Sequence, residues 1–178
     1  MPALDMPLSK LEQYMGINPR PDDFDAFWDR ALAELDATDP APRIAPAAFQ
    51  APNAECFDLT FTGVRGAQIY AKYLRPKNVP GPHPAVLMFH GYTGNSGDWW
   101  DKLAYVNLGY SVFAMDCRGQ GGKSEDVGGV KGNTMRGQFI RGLDSGPDHM
   151  LMRHIFLDTA QLARVAASMP EVDPARIG

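Results

Sequence analysis

The decisive stretch of this sequence is AVLMFHGYTG, residues 85–94, in which an apolar run passes directly into a polar loop. Five consecutive apolar residues are typical of a strand that is covered on both faces. The loop glycines, Gly91 and Gly94, allow the main chain to approach a neighbouring group closely. The stretch therefore predicts a buried strand over residues 85–89 that ends in a close-packed loop.

The next residues complete a strand–helix–strand unit. Residues 98–108 predict a helix that ends at Gly109, and residues 111–115 predict a second buried strand. Two strands joined through a helix form a parallel pair with a right-handed crossover. The fold class is therefore α/β.

A hairpin is predicted upstream of this unit. Residues 56–61 and 68–74 each alternate in polarity, and the glycine-containing residues 63–66 separate the two runs. Alternating runs on either side of a short turn are typical of a β-hairpin.

The amino-terminal residues predict helices and irregular chain. Residues 7–15 predict a short helix, and Trp28 lies on the apolar stripe of a second helix, where packing is its expected role. Residues 38–52 are rich in Ala and Pro, which favours an irregular surface segment or a linker. We therefore divide the chain into an amino-terminal segment, 1–52, and a main domain, 53–178.

The downstream residues predict a long excursion, a helix and a strand. Residues 123–146 are dense in Gly, Lys, Asp and Asn, which predicts a functional or mobile segment. Residues 147–170 predict a helix in which Asp158 falls in phase with the apolar stripe, so its carboxylate needs a partner. Residues 172–178 predict a turn and the start of another buried strand. The apolar stripe of the helix over residues 147–170 consists of Leu151, Ile155, Leu162, Val165, Ala166 and Met169.

The composition argues against some classes of partner and site, but it does not indicate a particular function. The chain is 44% hydrophobic with a net charge of -4, and no basic run indicates nucleic acid or an anionic membrane as a partner. Residues 1–10 lack the features of a secretory signal, so cytoplasmic residence is expected. Cys56 and Cys117 are too few for a disulfide framework and are expected to be buried thiols. No spacing of His, Cys or carboxylates indicates a metal site.

Two loops after predicted strands carry the chemistry. In α/β-hydrolases the loop in the position of residues 90–94 supplies a main-chain N–H to the oxyanion hole. Tyr92 is the predicted donor, and Gly91 lets the main chain approach a substrate. The next loop, DCRGQGGKS at residues 116–124, is similar to the D-x-R-G-x-G-x-S run of the same superfamily.

Four segments together resemble one family. RGQGG (118–122) and HGYTGNSGDW (90–99), with SEDVGGVKGNT (124–134) and HIFLDTAQLARV (154–165), resemble the cephalosporin-C deacetylase and acetyl xylan esterase family. The likeness extends from about residue 10 to Gly178.

The resemblance implies a partial α/β-hydrolase, the amino-terminal part of a mostly parallel sheet that is cut before the nucleophile elbow. It implies removal of acetyl groups from xylo-oligosaccharides and cephalosporin C by a homohexamer that needs no cofactor. It also assigns a supporting role at the active site, without a catalytic one, to His90, Arg118, Gly119, Gln120, Gly121 and Gly122.

The sequence departs from the family in its triad. The family's serine lies in a G-x-S-x-G elbow after the strand that would begin at Arg176, and its acid and histidine follow later. None of Ser96, Ser111, Ser124 and Ser145 has glycine two positions before and two after. We therefore expect the working protein to include a carboxy-terminal remainder, in the same product or in a second chain.

The remaining polar residues suggest structural roles. We expect Asp158 to pair with Arg118 beneath the site, because an in-phase carboxylate needs a cation or donors. Cys117 is expected to be a packed thiol. His83, on a Pro-rich loop, and His149 and His154, on a helix, are expected to face solvent or pack.

Two alternative interpretations remain open. A hydrolase of another specificity, such as a peptidase, lipase or dehalogenase, tolerates both loop motifs, although RGQGG favours the esterase family. In the second interpretation, the chain is a noncatalytic fragment or an assembly piece.

Overall fold

The computed structural model describes residues 6–127, 130–131 and 140–178. Its helices are α1 (Leu8–Leu11), α2 (Phe24–Asp36), α3 (Leu103–Asn107) and α4 (Leu151–Ala167). Its strands are β1 (Arg43–Pro46), β2 (Ala54–Thr62), β3 (Gln68–Pro76), β4 (His83–Met88), β5 (Ser111–Asp116), β6 (Glu125–Asp126), β7 (Val130–Lys131) and β8 (Val172–Ile177).

Six strands form one mixed sheet in the order β1-β2-β3-β5-β4-β8. The pairs β1–β2, β2–β3 and β3–β5 are antiparallel, whereas β5–β4 and β4–β8 are parallel. The predicted hairpin is confirmed as β2 and β3, and the predicted parallel pair is confirmed as β4 and β5. The carboxyl ends of β4 and β5 therefore lie side by side, which brings their following loops together.

Apolar side chains cover both faces of the sheet. The predicted stripe of α4 is buried against one face, where Phe113, Met115 and Tyr73 belong to the same cluster. Val106 of α3 packs with Val112 on the other face. Helix α2 lies against α4 through buried Ala31 and Leu35. The partly buried Trp28 packs against the same cluster, as predicted.

Some predictions about local structure were wrong. Residues 38–52 are not wholly irregular, because β1 pairs with β2, and these main-chain bonds outweigh the segment's Ala- and Pro-rich composition. The turn predicted within residues 172–178 takes the form of a bulge in β8, because Val172 pairs with His83 and Ile177 pairs with Ala85, and the Ala175 N–H donates to Asp173 Oδ1 between them at 3.0 Å. The strand was predicted to be buried, but Pro174, Ala175 and Arg176 are exposed, since they lie in this bulge at the sheet edge.

A further error concerns β4, which is not fully covered. Val86, Leu87 and Met88 are only partly buried, and Phe89 lies outside the strand with 48% of its surface exposed. By contrast, all six residues of β5 are buried, and β5 pairs continuously with β3 and β4 whereas β8 pairs irregularly with β4. The edge strand β8 and the short α3 leave more of β4 accessible.

The long excursion lies largely outside the described residues. Within it, β6 pairs with β7 in an antiparallel ribbon, and residues 128–129 and 132–139 are not described. Cys56 and Cys117 are free and buried, as predicted. In the described part of the chain, no helix combines the length and apolarity needed to cross a membrane.

Candidate active site

Two loops meet where β4 and β5 end. We name them the His90 loop (residues 89–97) and the Arg118 loop (residues 117–124). A cavity of about 410 Å³ opens beside them and is lined by His90, Gly91, Tyr92, Cys117, Gln120, Met152 and Ile155. The structure therefore brings Tyr92, Gly91, His90 and Gln120 together at one cavity. Arg118 and the glycines at 119, 121 and 122 are not among its lining residues.

His90 joins the two loops. Its Nε2 accepts a hydrogen bond from the Cys117 main-chain N–H at 2.9 Å, so this nitrogen carries no proton. The proton is assigned to Nδ1, which lies 2.7 Å from the Gly91 carbonyl oxygen and donates to it. Both ring nitrogens are thus engaged in one neutral tautomer, which is an arrangement for positioning rather than for proton transfer.

Gln120 and its neighbour hold the far end of the His90 loop. The Thr93 N–H donates to the Gln120 side-chain oxygen at 2.7 Å, and the Gly121 N–H donates to the Gly94 carbonyl at 2.8 Å. A Cβ on Gly94 would lie 2.9 Å from His90 Nδ1, so only glycine fits between the bonds. The main chain around Tyr92 is therefore fixed on both sides.

Asp116 fastens the bases of both loops. One of its carboxylate oxygens accepts the Ser96 N–H at 2.5 Å, and the other accepts the Lys123 N–H at 2.8 Å. A Cβ on Gly122 would overlap this carboxylate, which explains a glycine at that position. The sequence motif included Asp116, but its role of joining the loops follows only from the structure.

Arg118 and Asp158 form a fully buried ion pair beneath the site. Arg118 Nε and Nη2 donate to the two Asp158 oxygens, each at 2.6 Å, and Nη2 also donates to the Val64 carbonyl at 3.0 Å. The predicted pair is thereby confirmed with bidentate geometry. Burial raises the pKa of Asp158 to about 6, and the Arg118 guanidinium opposes that rise. A Cβ on Gly63 would overlap Asp158, so this glycine makes room for the pair.

A second carboxylate extends this charge network. Asp126 Oδ1 lies 3.6 Å from Arg118 Nη1, and Arg141 pairs with the same carboxylate. Sequence reasoning missed both residues. They lie in the glycine-rich excursion, where no periodic pattern marks a buried side chain.

The Cys117 thiol and the imidazoles of His83 and His154 are buried. Burial raises the pKa of the Cys117 thiol to about 11, which agrees with the predicted packed thiol. Burial lowers the pKa of His154 to about 4. The prediction that His83 lies on a loop was wrong, because His83 lies in β4. Its Nε2 is 2.8 Å from the Ser111 hydroxyl. Within the described residues, no three His, Cys, Asp or Glu side chains are grouped to hold a metal ion.

Comparison with known proteins identifies similar chains. Residues 1–178 match the family model described as acetyl xylan esterase (AXE1). The structure of Acetyl Xylan Esterase 1 from Thermoanaerobacterium sp. JW/SL YS485 is 60% identical, with a TM-score of 0.89 over 98% of this chain and 55% of that one. The acetyl xylan esterase from Paenibacillus sp. R4 is 29% identical, with a TM-score of 0.84 over 97% of this chain and 55% of that one. The chain thus spans about half the length of these relatives.

Proposed function

Since this chain belongs to the acetyl xylan esterase family and has the partial α/β-hydrolase fold that its sequence predicted, we propose that it supplies the oxyanion side of an esterase site. The proposed reaction is hydrolysis of acetyl esters on xylo-oligosaccharides. The whole enzyme would act by serine acyl transfer, with the serine, histidine and acid on a carboxy-terminal remainder.

One observation carries the proposal. Tyr92 and Gly91 border a 410 Å³ cavity at the carboxyl end of a parallel strand, on a loop whose flanking residues are hydrogen-bonded to the Arg118 loop. Ligand sites of open α/β sheets lie at this end of the strands. Main-chain donors that are held in advance stabilise a developing oxyanion without rearrangement, and one such donor contributes about 2.7–4 kcal/mol.

The proposed mechanism assigns this chain a polarising role. A serine attacks the ester carbonyl, and a histidine, oriented by an acid, takes the serine proton and returns it to the leaving sugar. The Tyr92 N–H and the N–H after the serine hold the negative oxygen. Water then releases acetate from the acetyl-enzyme by the same steps. His90, Gln120 and Arg118 position the Tyr92 amide and exchange no proton with the substrate.

Three finer features of the proposal rest on the family resemblance. We include cephalosporin C as a second substrate, a homohexamer as the assembly and the cytoplasm as the location. Sedimentation velocity of the completed protein distinguishes a hexamer from smaller assemblies, and competition between cephalosporin C and an acetylated xylo-oligosaccharide distinguishes one site from two.

The test compares the 178 residues alone with a hydrolase in which they are joined to the remainder. Intact mass verifies each preparation, and release of 4-nitrophenol and of acetate from acetylated xylo-oligosaccharides measures activity. We expect the chain alone to show background rates, because it contains no G-x-S-x-G elbow. Background rates from the joined protein on both substrates would reject the proposed function.

A further inference from the structure

A second cavity, of about 200 Å³, lies beside the His90 loop. It is lined by Met88, Phe89, His90, Asn95, Ser96, Gly97, Lys102 and Ala114. Met88 packs in the cluster on the α3 side of the sheet, whereas Ile155 of the larger cavity packs on the α4 side. The two cavities therefore lie on opposite faces of the sheet, and His90 borders both.

The ammonium group of Lys102 is the unusual feature of this cavity. Only 6% of the Lys102 side chain is exposed, and the nearest carboxylate, Asp101, is 3.9 Å away and 71% exposed. Among the described residues, no hydrogen bond to Lys102 Nζ is formed. A Cβ on Gly97 would lie 3.0 Å from Nζ, so the ammonium group lies directly against the loop. An ammonium on a buried side chain that is not hydrogen-bonded to an anion is stabilised when one joins it.

Ser96 adds a second donor that is aimed at the same space. The Lys72 ammonium donates to Ser96 Oγ at 2.7 Å, so the hydroxyl proton of Ser96 is left for another acceptor. Ser96 is 7% exposed and lines the cavity. A hydroxyl that accepts from a cation becomes a stronger donor through polarisation.

Two ammonium groups lie close to the Ser96 side of the cavity. Lys72 and Lys102 contribute two ammonium groups, while Asp116 is the buried carboxylate nearby, and its two oxygens already accept main-chain N–H groups. Burial lowers the pKa of both lysines, and Asp116 opposes the effect at each of them. Asp101 and Asp98 also oppose the effect at Lys102, but both are exposed and neither is hydrogen-bonded to its ammonium group, so an anion in the cavity would be the first hydrogen-bonded partner of that group.

We propose that this cavity is a binding site for a short-chain monocarboxylate such as acetate. The carboxylate accepts hydrogen bonds from Lys102 Nζ and the Ser96 hydroxyl, and the short alkyl group lies against Met88, Phe89 and Ala114. A volume of 200 Å³ equals that of about seven water molecules, which is enough for this ligand with some water. The mixed lining favours a carboxylate with an apolar end over chloride or phosphate.

Acetate is also the product of the proposed reaction, and this link alone rests on the proposed function. A product site that shares His90 with the larger cavity provides a route by which acetate reduces turnover. The binding itself is independent of catalysis, so it is tested without an activity assay.

The test is a titration of the 178-residue chain with ¹³C-labelled acetate, followed by the line width of the acetate methyl signal. We expect saturable binding, a loss of affinity of at least tenfold in Lys102→Met and a smaller loss in Ser96→Ala. Lys10→Met is the matched control, because it removes the same charge from exposed α1 and leaves affinity unchanged. Circular dichroism verifies that each variant is folded. If Lys102→Met does not fold, the comparison of Ser96→Ala with the wild type tests the proposal.

Competition experiments decide the chemical class. Propionate should displace acetate, whereas acetamide, which has the same shape without charge, should not. Equal displacement by chloride or phosphate would reduce the site to a general anion site and overturn the proposal. Binding that does not saturate would also overturn the proposal. So would an acetate affinity that is the same in the wild type, in Ser96→Ala and in Lys102→Met. Failure of the esterase assay leaves these results unaffected, so the two proposals fail separately.

Discussion

The His90 loop and the Arg118 loop leave neighbouring strands at the same edge of the sheet, but their environments differ. Phe89 and Tyr92 of the first loop are 48% and 45% exposed, whereas residues 117–120 of the second loop are all buried. The first loop presents groups to a ligand, and the second supplies the bonds that fix them. Precise positioning on an exposed loop thus depends on a buried neighbour, and mutations in the two loops should have different consequences.

The largest expected effect is loss of the ion pair beneath the Arg118 loop. Arg118→Met should lower the free energy of unfolding by about 3–5 kcal/mol, because it leaves the Asp158 carboxylate buried without its partner. Urea denaturation measures the change. The exposed pair of Arg164 and Asp36 is the control, and Arg164→Met should cost about 0–1 kcal/mol.

A double-mutant cycle sharpens this prediction. Arg118→Met with Asp158→Leu removes both charges, so the double variant should be more stable than the sum of the two single losses implies. Strict additivity would show that the two residues do not depend on each other and would contradict the role that we assign to the pair.

The two loops also offer a matched pair of glycine substitutions. Gly122→Ala places a Cβ against the Asp116 carboxylate and should cost about 2–3 kcal/mol, because that carboxylate cannot move without losing both loop bonds. Gly91→Ala meets no atom within 4 Å and should change stability by less than about 0.5 kcal/mol. Thermal unfolding of both variants measures the contrast, and equal losses would remove the distinction between the loops.

Gln120 tests the contact between the loops directly. Gln120→Leu removes the acceptor of the Thr93 N–H and should lower the free energy of unfolding by about 1 kcal/mol. Amide hydrogen exchange at Thr93 should become faster, while exchange in α4 should change only with global stability. Unchanged protection at Thr93 would show that other contacts hold the His90 loop.

The pH dependence of stability tests the helix that supports the Arg118 loop. Burial lowers the pKa of His154 from 6.5 to about 4, with the Arg118 charge acting in the same direction, and its Nε2 lies 3.1 Å from the Asp148 carbonyl. Between these pH values the unfolded state binds a proton that the folded state does not. Stability present above pH 6.5 is therefore lost as the pH falls towards 4, by about 2 kcal/mol at pH 5.

The measurement is urea unfolding of the wild type and His154→Gln at several pH values. The difference between the two proteins should diminish from pH 7 to below pH 4 and level off about one pH unit lower, where His154 is protonated in both states of the wild type. A difference that does not vary with pH would mean that His154 titrates normally in the fold.

The parts of the fold that the sequence predicted are the strands and the helix that a local pattern of apolar residues determines. The apolar runs predicted β4 and β5, and the 3.6-residue period predicted α4 with Asp158 facing inward. That Tyr92 and Gln120 line one cavity was not predicted, although it follows from the parallel pairing of β4 and β5, whose carboxyl ends lie side by side. The division of the chain near residue 52 stays a prediction.

The features that were missed depend on partners that are distant in sequence. Strand β1 exists through its pairing with β2, although Ala- and Pro-rich chain does not favour a strand. Asp126 is buried because Arg118 and Arg141 approach it from separate segments, and no periodicity marks that convergence. Burial of Lys102 beside Gly97 is likewise decided by how a loop folds back on a helix.

The most direct test of the central claim replaces the Tyr92 main-chain amide by an ester in the joined hydrolase. The substitution removes one N–H and retains the side chain, so the oxyanion role predicts a fall in kcat of about 10²–10³ with little change in KM. The same replacement at Tyr14, whose N–H bonds only the Leu11 carbonyl in a terminal turn, should leave kcat unchanged. A kcat within twofold of the parent after replacement at Tyr92 would contradict the account.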